Sequence, residues 1–222
     1  MLRVATPILL ALAAVASMTA SLPAASTGSV SVRELQVPQK AKDKYDDAQR
    51  RLAKHDPAGA RRKLEEALAL APDYSAAWNA LGTIAEEPAV AETCWRRAVD
   101  GDPENMDASL NLGGLLLKSG RAEEAFAYNR RAASELPTDA SAQAQYGMNL
   151  YQLGKLAEAE RSLVAAKRID PEHYTLPQLF LAEIYARRGE KARAVTEIEE
   201  LLARRPAEPL AGTLRGVMAK LR

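Results

Sequence analysis

The stretch Ser109–Phe126, SLNLGGLLLKSGRAEEAF, decides how this chain is read. Gly113 to Ser119 nearly spells a phosphate-binding loop. That loop requires Gly-x-x-x-x-Gly-Lys-Ser/Thr between a strand and a helix. Leu117 stands where the second glycine belongs, and no strand pattern precedes it. The glycines must serve something else, and repetition along the chain shows what.

Prolines recur at Pro72, Pro103, Pro137, Pro171 and Pro206, with gaps of 31, 34, 34 and 35 residues. Each closes an apolar helical pattern, and proline cannot continue a helix. Leu81 and Gly82, with Trp78 three residues before, recur in phase as Leu112 and Gly113 and as Tyr146 and Gly147, and Leu116 recurs as Leu150. Small residues open each second helix at Ala91, Ala125 and Ala159, followed seven residues later by Ala98, Ala132 and Ala166. Small residues at such positions let helix backbones approach closely. A large side chain there would overpack the contact by roughly 1–3 kcal/mol, more than the ~1 kcal/mol that a helical glycine costs.

This set resembles the tetratricopeptide repeat (TPR), a 34-residue helix–turn–helix unit. The resemblance covers residues 41–206 as five repeats, 41–74, 75–105, 106–139, 140–173 and 174–206. Repeat two lacks three residues around AEEPAVAE, which shortens its first helix by about a turn. Repeat one opens on an unusually polar helix, as a terminal repeat with a solvated face does. Residues 207–222 carry Leu210, Leu214, Val217, Met218 and Leu221 on one stripe and read as a C-terminal capping helix. The resemblance implies an all-α fold, a right-handed α-solenoid with the first helices lining a concave groove.

Composition agrees with a helical reading. Of the 222 residues 47% are apolar, 27% are charged and only 5% are aromatic, with a net charge of +1. No global basic field suggests nucleic acid. One cysteine, Cys94, excludes an internal disulfide and any multi-cysteine zinc site. Its helical phase reads as an inert core thiol, and Trp78 and Trp95 read as core. The histidines, His55 and His173, sit beside turns without visible metal partners. The carboxylates of Glu197–Glu200 read as an exposed helical face. Arg96-Arg97 and Arg130-Arg131 take equivalent places in repeats two and three, where a basic stripe or ordinary intrahelical pairing would arise. No catalytic set, cofactor site or metal site is expected.

Residues 1–25 have a weak basic start, the apolar run PILLALAAVA and then small residues, the pattern of a secretory signal peptide. The apolar run is too short for a bilayer crossing of about 20 residues. Bonds after Ser17, Ser21 and Ser26 are all candidate cleavage points. Residues 26–40 read as an exposed lead-in. The chain is thus expected in an exported, periplasmic or secreted compartment, with membrane attachment if residues 1–25 stay uncleaved.

The resemblance also maps groove positions. It assigns Asn79 and Thr83 in repeat two, and Leu110, Gly114, Leu117 and Lys118 in repeat three. Met148, Tyr151 and Gln152 follow in repeat four, and Glu183 and Arg187 in repeat five. An apolar strip with an aromatic and a methionine suits an apolar peptide or helix face. Packing of Leu110 and Leu117 against neighbouring repeats is the competing reading of those two. The lysines and arginine of the family's carboxylate clamp are missing, although Asn111 fits one clamp position. The expected function is a non-catalytic adaptor for a protein or peptide. The alternatives are a membrane-anchored assembly factor and, further off, an enzyme or small-ligand protein.

Overall fold

The computed structural model describes residues 32–173 and 176–222. Among these residues there are twelve helices and no strand. They are α1 (Val32–Leu35), α2 (Gln39–Ala53), α3 (Pro57–Leu70), α4 (Ser75–Thr83), α5 (Pro88–Gly101), α6 (Met106–Lys118), α7 (Ala122–Glu135), α8 (Ala140–Gln152), α9 (Leu156–Ile169), α10 (Pro177–Arg187), α11 (Lys191–Ala203) and α12 (Glu208–Leu221). The signal-peptide pattern of residues 1–25 and the lead-in up to residue 31 fall outside the described residues.

Local chemistry sets the helix starts. Asp139 precedes α8 and its carboxylate accepts from the Ala142 N–H at 2.7 Å. Asn105 does the same for Ala108 at 2.9 Å, ahead of α6. Each fills one of the donors left open in a first helical turn. Pro57, Pro88 and Pro177 occupy first positions, where their missing N–H costs nothing. Within the expected lead-in, Val32–Leu35 is helical, and α2 already begins at Gln39.

The turns inside repeats three, four and five share one conformation. Gly120, Gly154 and Gly189, spaced as the repeats are, have φ of 72°, 74° and 76°. That left-handed region is open to glycine at no steric cost. His55 holds the corresponding place in repeat one with φ 57°. His55 is therefore a turn residue, one of the side chains that tolerate this region better than most.

The chain divides into two compact units, the boundary falling between Leu116 and Leu117 inside α6. In residues 32–116, α2 pairs with α3 and α4 with α5. Ala41, Ala48, Ala60, Leu64, Ala67 and Ala77 are fully buried there, and Tyr45 meets Tyr74 at 5.3 Å between ring centroids. A Cβ on Gly82 would lie 2.5 Å from Trp95 Nε1, so the indole occupies the space that the glycine leaves. Helix α4 has nine residues against thirteen in α6 and α8, the shortening read from the sequence.

In residues 117–222, α8 pairs with α9 and α10 with α11, and α12 packs on α11. Leu150, Leu163, Leu179, Leu181, Ile184 and Ile198 are fully buried, each worth roughly 1.5–3 kcal/mol of transfer from water. A Cβ on Gly147 would meet Leu163 Cγ at 2.7 Å, so this glycine too is a packing position. Leu214, Val217 and Leu221 bury the stripe of α12.

One expectation is corrected here. Glu197 does not belong to an exposed face with Glu199 and Glu200. It is buried, and its carboxylate accepts from Lys167 Nζ on α9 at 2.9 Å. The phase of α11 turns it toward α9, and Lys167 compensates the charge.

Candidate peptide-binding face

In residues 32–116, the mapped groove positions are mostly engaged. Asn79 is half-buried and its side-chain oxygen accepts from Asn111 Nδ2 at 3.0 Å. Asn111 thus ties α6 to α4. Thr83 is exposed and donates to the Asn79 carbonyl at 3.0 Å. Gly114 is half-buried. Leu110 is only 3% exposed. It is a packing residue and presents no side chain to a partner.

In residues 117–222, six side chains from α8 and α10 come together. Met148 and Tyr151 lie three residues apart on α8, with Gln152 beside them. Phe180, Glu183 and Arg187 follow at i, i+3 and i+7 on α10, which places them on one helical face. Tyr151 and Phe180 meet edge to face at 5.4 Å between centroids. Met148 and Phe180 are half-buried at the border of the core. Arg187 Nε donates to Glu183 Oε1 at 2.7 Å, and its guanidinium carbon lies 5.2 Å from the Tyr151 ring centroid. Gln152 is exposed, and its Nε2 donates weakly to the Leu117 carbonyl at 3.4 Å. Lys118 is exposed at the end of α6, although neighbouring protein still holds its ammonium below the ordinary lysine value.

Burial corrects part of this set as well. Leu117 is 6% exposed and Glu183 is fully buried, so neither offers a side chain to a partner. Both turn inward because their helical phase faces packed neighbours. Tyr151 is buried too, at 8%. The accessible set is Lys118, Met148, Gln152, Phe180 and Arg187. Phe180 is the residue that sequence reasoning missed. Its signal was available: it is one of only two phenylalanines, three residues before Glu183 on the same face.

The electrostatics follow burial. Desolvation, then the Glu183 charge, pushes the Tyr151 phenol up to about 12. Desolvation also raises Glu183, with Arg187 opposing. Its hydrogen bond to Glu183 in turn raises Arg187. The face is an aromatic and thioether surface beside the Arg187 guanidinium.

Elsewhere, His173 is buried with Nε2 3.0 Å from Ser141 Oγ. Desolvation lowers its pKa, against the charges of Asp170 and Asp139. Arg96 pairs with Glu92 on its own helix, and Arg130 lies 5.6 Å from the Phe126 ring. Among the described residues no group of three or more His, Cys, Asp or Glu could hold a metal ion. No described helix is long and apolar enough to cross a membrane.

Helix pairs at this period, with this packing, define a helical-repeat interaction scaffold. The chain belongs to the tetratricopeptide repeat family, whose model matches residues 45–87, 85–140 and 145–209. Proteins of this family generally mediate protein–protein interaction, and as scaffolds they are generally non-enzymatic. Cellulose synthase operon protein C of Xanthomonas axonopodis pv. citri (strain 306) is 29% identical over 178 residues, which is 76% of this chain. The chain spans 12% of that relative's length. The crystal structure of YrrB, a TPR protein with an unusual peptide-binding site, is similar with a TM-score of 0.68 and 22% identity. The likeness covers 84% of this chain and 98% of that one. PilF of Pseudomonas aeruginosa is similar with a TM-score of 0.63 and 21% identity, over 82% and 89% of the two chains. At these identities the structures speak for the fold alone.

Proposed function

We propose that this chain is a non-catalytic adaptor that holds an apolar protein segment against the α8–α10 face. The observation that carries this reading is the accessible group of Met148, Phe180 and Gln152 beside the Arg187–Tyr151 stack. A methionine and an aromatic ring adapt to an apolar side chain, and the polar rim orients it. The unusual peptide-binding site of YrrB lends support by analogy of fold.

A photo-crosslinking side chain placed at Gln152 should capture a discrete partner, and Met148→Glu should abolish that capture with helicity retained. A crosslinker at Arg131, exposed on α7, serves as control. Equal capture from both positions sinks the assignment.

The adaptor would act after export. The pattern of residues 1–25 supports this, and mass spectrometry of the mature N-terminus tests it. A start after Ser17, Ser21 or Ser26 agrees with export and cleavage, whereas an intact N-terminus favours the membrane-anchored assembly factor.

A further inference from the structure

The seam between repeats one and two is built unlike the two seams of residues 117–222. In residues 117–222, Phe126 of α7 packs on Tyr146 of α8 with centroids 6.0 Å apart. Further along, Glu160 of α9 accepts from Arg193 of α11 at 2.8 Å, and Lys167 of α9 bonds Glu197 of α11. These pairs close their seams. In the 34-residue register, Arg61 of α3 stands where Phe126 and Glu160 stand. Leu81 replaces Tyr146, and Val90 replaces Arg193. Leu68 and Cys94 replace the Lys167–Glu197 pair. The aromatic filling and both ion pairs are gone.

A cavity of about 340 Å³ opens at this place, lined by Leu68, Trp78, Leu81, Val90 and Cys94 beside Arg61. That volume lies within the ~300–1,000 Å³ of small-molecule sites. Val90 stands 45% exposed at its border. Arg61 has no ion pair among the described residues. Its charge acts inward on the Cys94 thiol, which burial otherwise raises. Glu65 also borders the cavity but is exposed, so water screens it. The lining is therefore mostly apolar, with the half-buried Arg61 cation and the more exposed Glu65 carboxylate at its rim and no ion pair between them.

We propose that this cavity binds a small monoanion with an apolar body, a medium-chain alkyl or aryl carboxylate. The body would rest on Trp78, Leu81 and Cys94, and the carboxylate would take two N–H donors of Arg61, the geometry a guanidinium matches best. The site is separate from the α8–α10 face and does not depend on it.

Cys94 is the only cysteine of the chain, so its alkylation reports on this cavity alone. The full chain is treated with N-ethylmaleimide while octanoate, below its micelle concentration, or 3-phenylpropionate is titrated in. Tryptophan fluorescence is followed in parallel. Saturating carboxylate should slow alkylation at least about fivefold. Octanol and octylammonium at equal concentration should leave the rate unchanged. Arg61→Gln should weaken carboxylate binding about tenfold, the loss of one charge-assisted bidentate contact. Val90→Trp, which fills the cavity from its exposed border, should abolish the fluorescence response with helicity retained. No response of either signal to either carboxylate overturns the proposal. Equal protection by octanol or octylammonium overturns the anion assignment, as does carboxylate binding unaffected by Arg61→Gln.

Discussion

Arg187 lies over the ring of Tyr151 and at the same time donates to Glu183, so one side chain covers two buried polar groups on adjacent first helices. Among the described residues, the Tyr151 hydroxyl and Glu183 Oε2 have no hydrogen-bond partner. A buried polar atom without a partner carries a desolvation cost of about 1–3 kcal/mol.

Tyr151→Phe removes one such atom and leaves the ring contacts with Phe180 and Arg187. The partner-free protein should gain about 1 kcal/mol, seen as a rise of roughly 2–4 °C in Tm by calorimetry. An unchanged or lower Tm would show that the hydroxyl is already satisfied.

Three glycine-to-alanine changes should differ in sign. Gly147→Ala drives a methyl into Leu163 and should cost about 1–3 kcal/mol. Gly154→Ala meets no atom within 4 Å, yet its φ of 74° should still cost about 1–2 kcal/mol. Gly216→Ala, inside α12 with open space around it, should stabilise by about 1 kcal/mol. Urea denaturation of the three variants checks the order, and a common sign would refute the packing assignments.

Lys167→Met tests the buried carboxylate of Glu197. Desolvation holds the Glu197 pKa above its ordinary value, with Lys167 opposing. A carboxyl raised in the folded state favours folding below its unfolded pKa of about 4.5. That contribution is lost as pH rises through the folded value. Without Lys167 the folded value rises further. The variant should therefore lose about 1–3 kcal/mol at pH 7 and markedly less near pH 5. A loss independent of pH would show that Lys167 acts through its packing alone.

Glu66 makes the opposite case. Hydrogen bonds from Lys44 and Lys63 hold its pKa at about 2. A lowered carboxyl contributes stability above its unfolded pKa and loses it as pH falls through the folded value. The stability difference between the protein and Glu66→Gln should be present at pH 6 and vanish as pH falls from about 4.5 toward 2. Denaturant titrations across that range would detect it.

Much of the fold was legible in the chain. The proline spacing marks where helices stop, and the small residues mark where they touch. Gly82 and Gly147 do face Trp95 and Leu163, because close approach leaves a visible small residue at a fixed period. The missing residues of repeat two show directly as a nine-residue α4. Part of the candidate face was legible as well. Met148, Gln152 and Arg187 are accessible on the mapped positions, while Leu117 and Glu183 on equally mapped positions are buried.

By itself the sequence determined the repeat, its helix pairs, its packing glycines and the left-handed turns at Gly120, Gly154 and Gly189. Those features depend on contacts within one unit of the period or on a residue's own backbone. Only the tertiary structure decided which mapped side chains reach solvent, that Glu197 turns inward to Lys167, and that Arg61 stands unpaired beside an open seam. Each of these depends on a residue about one repeat away. Periodicity fixes where such a neighbour stands but not whether it fills the space or balances the charge.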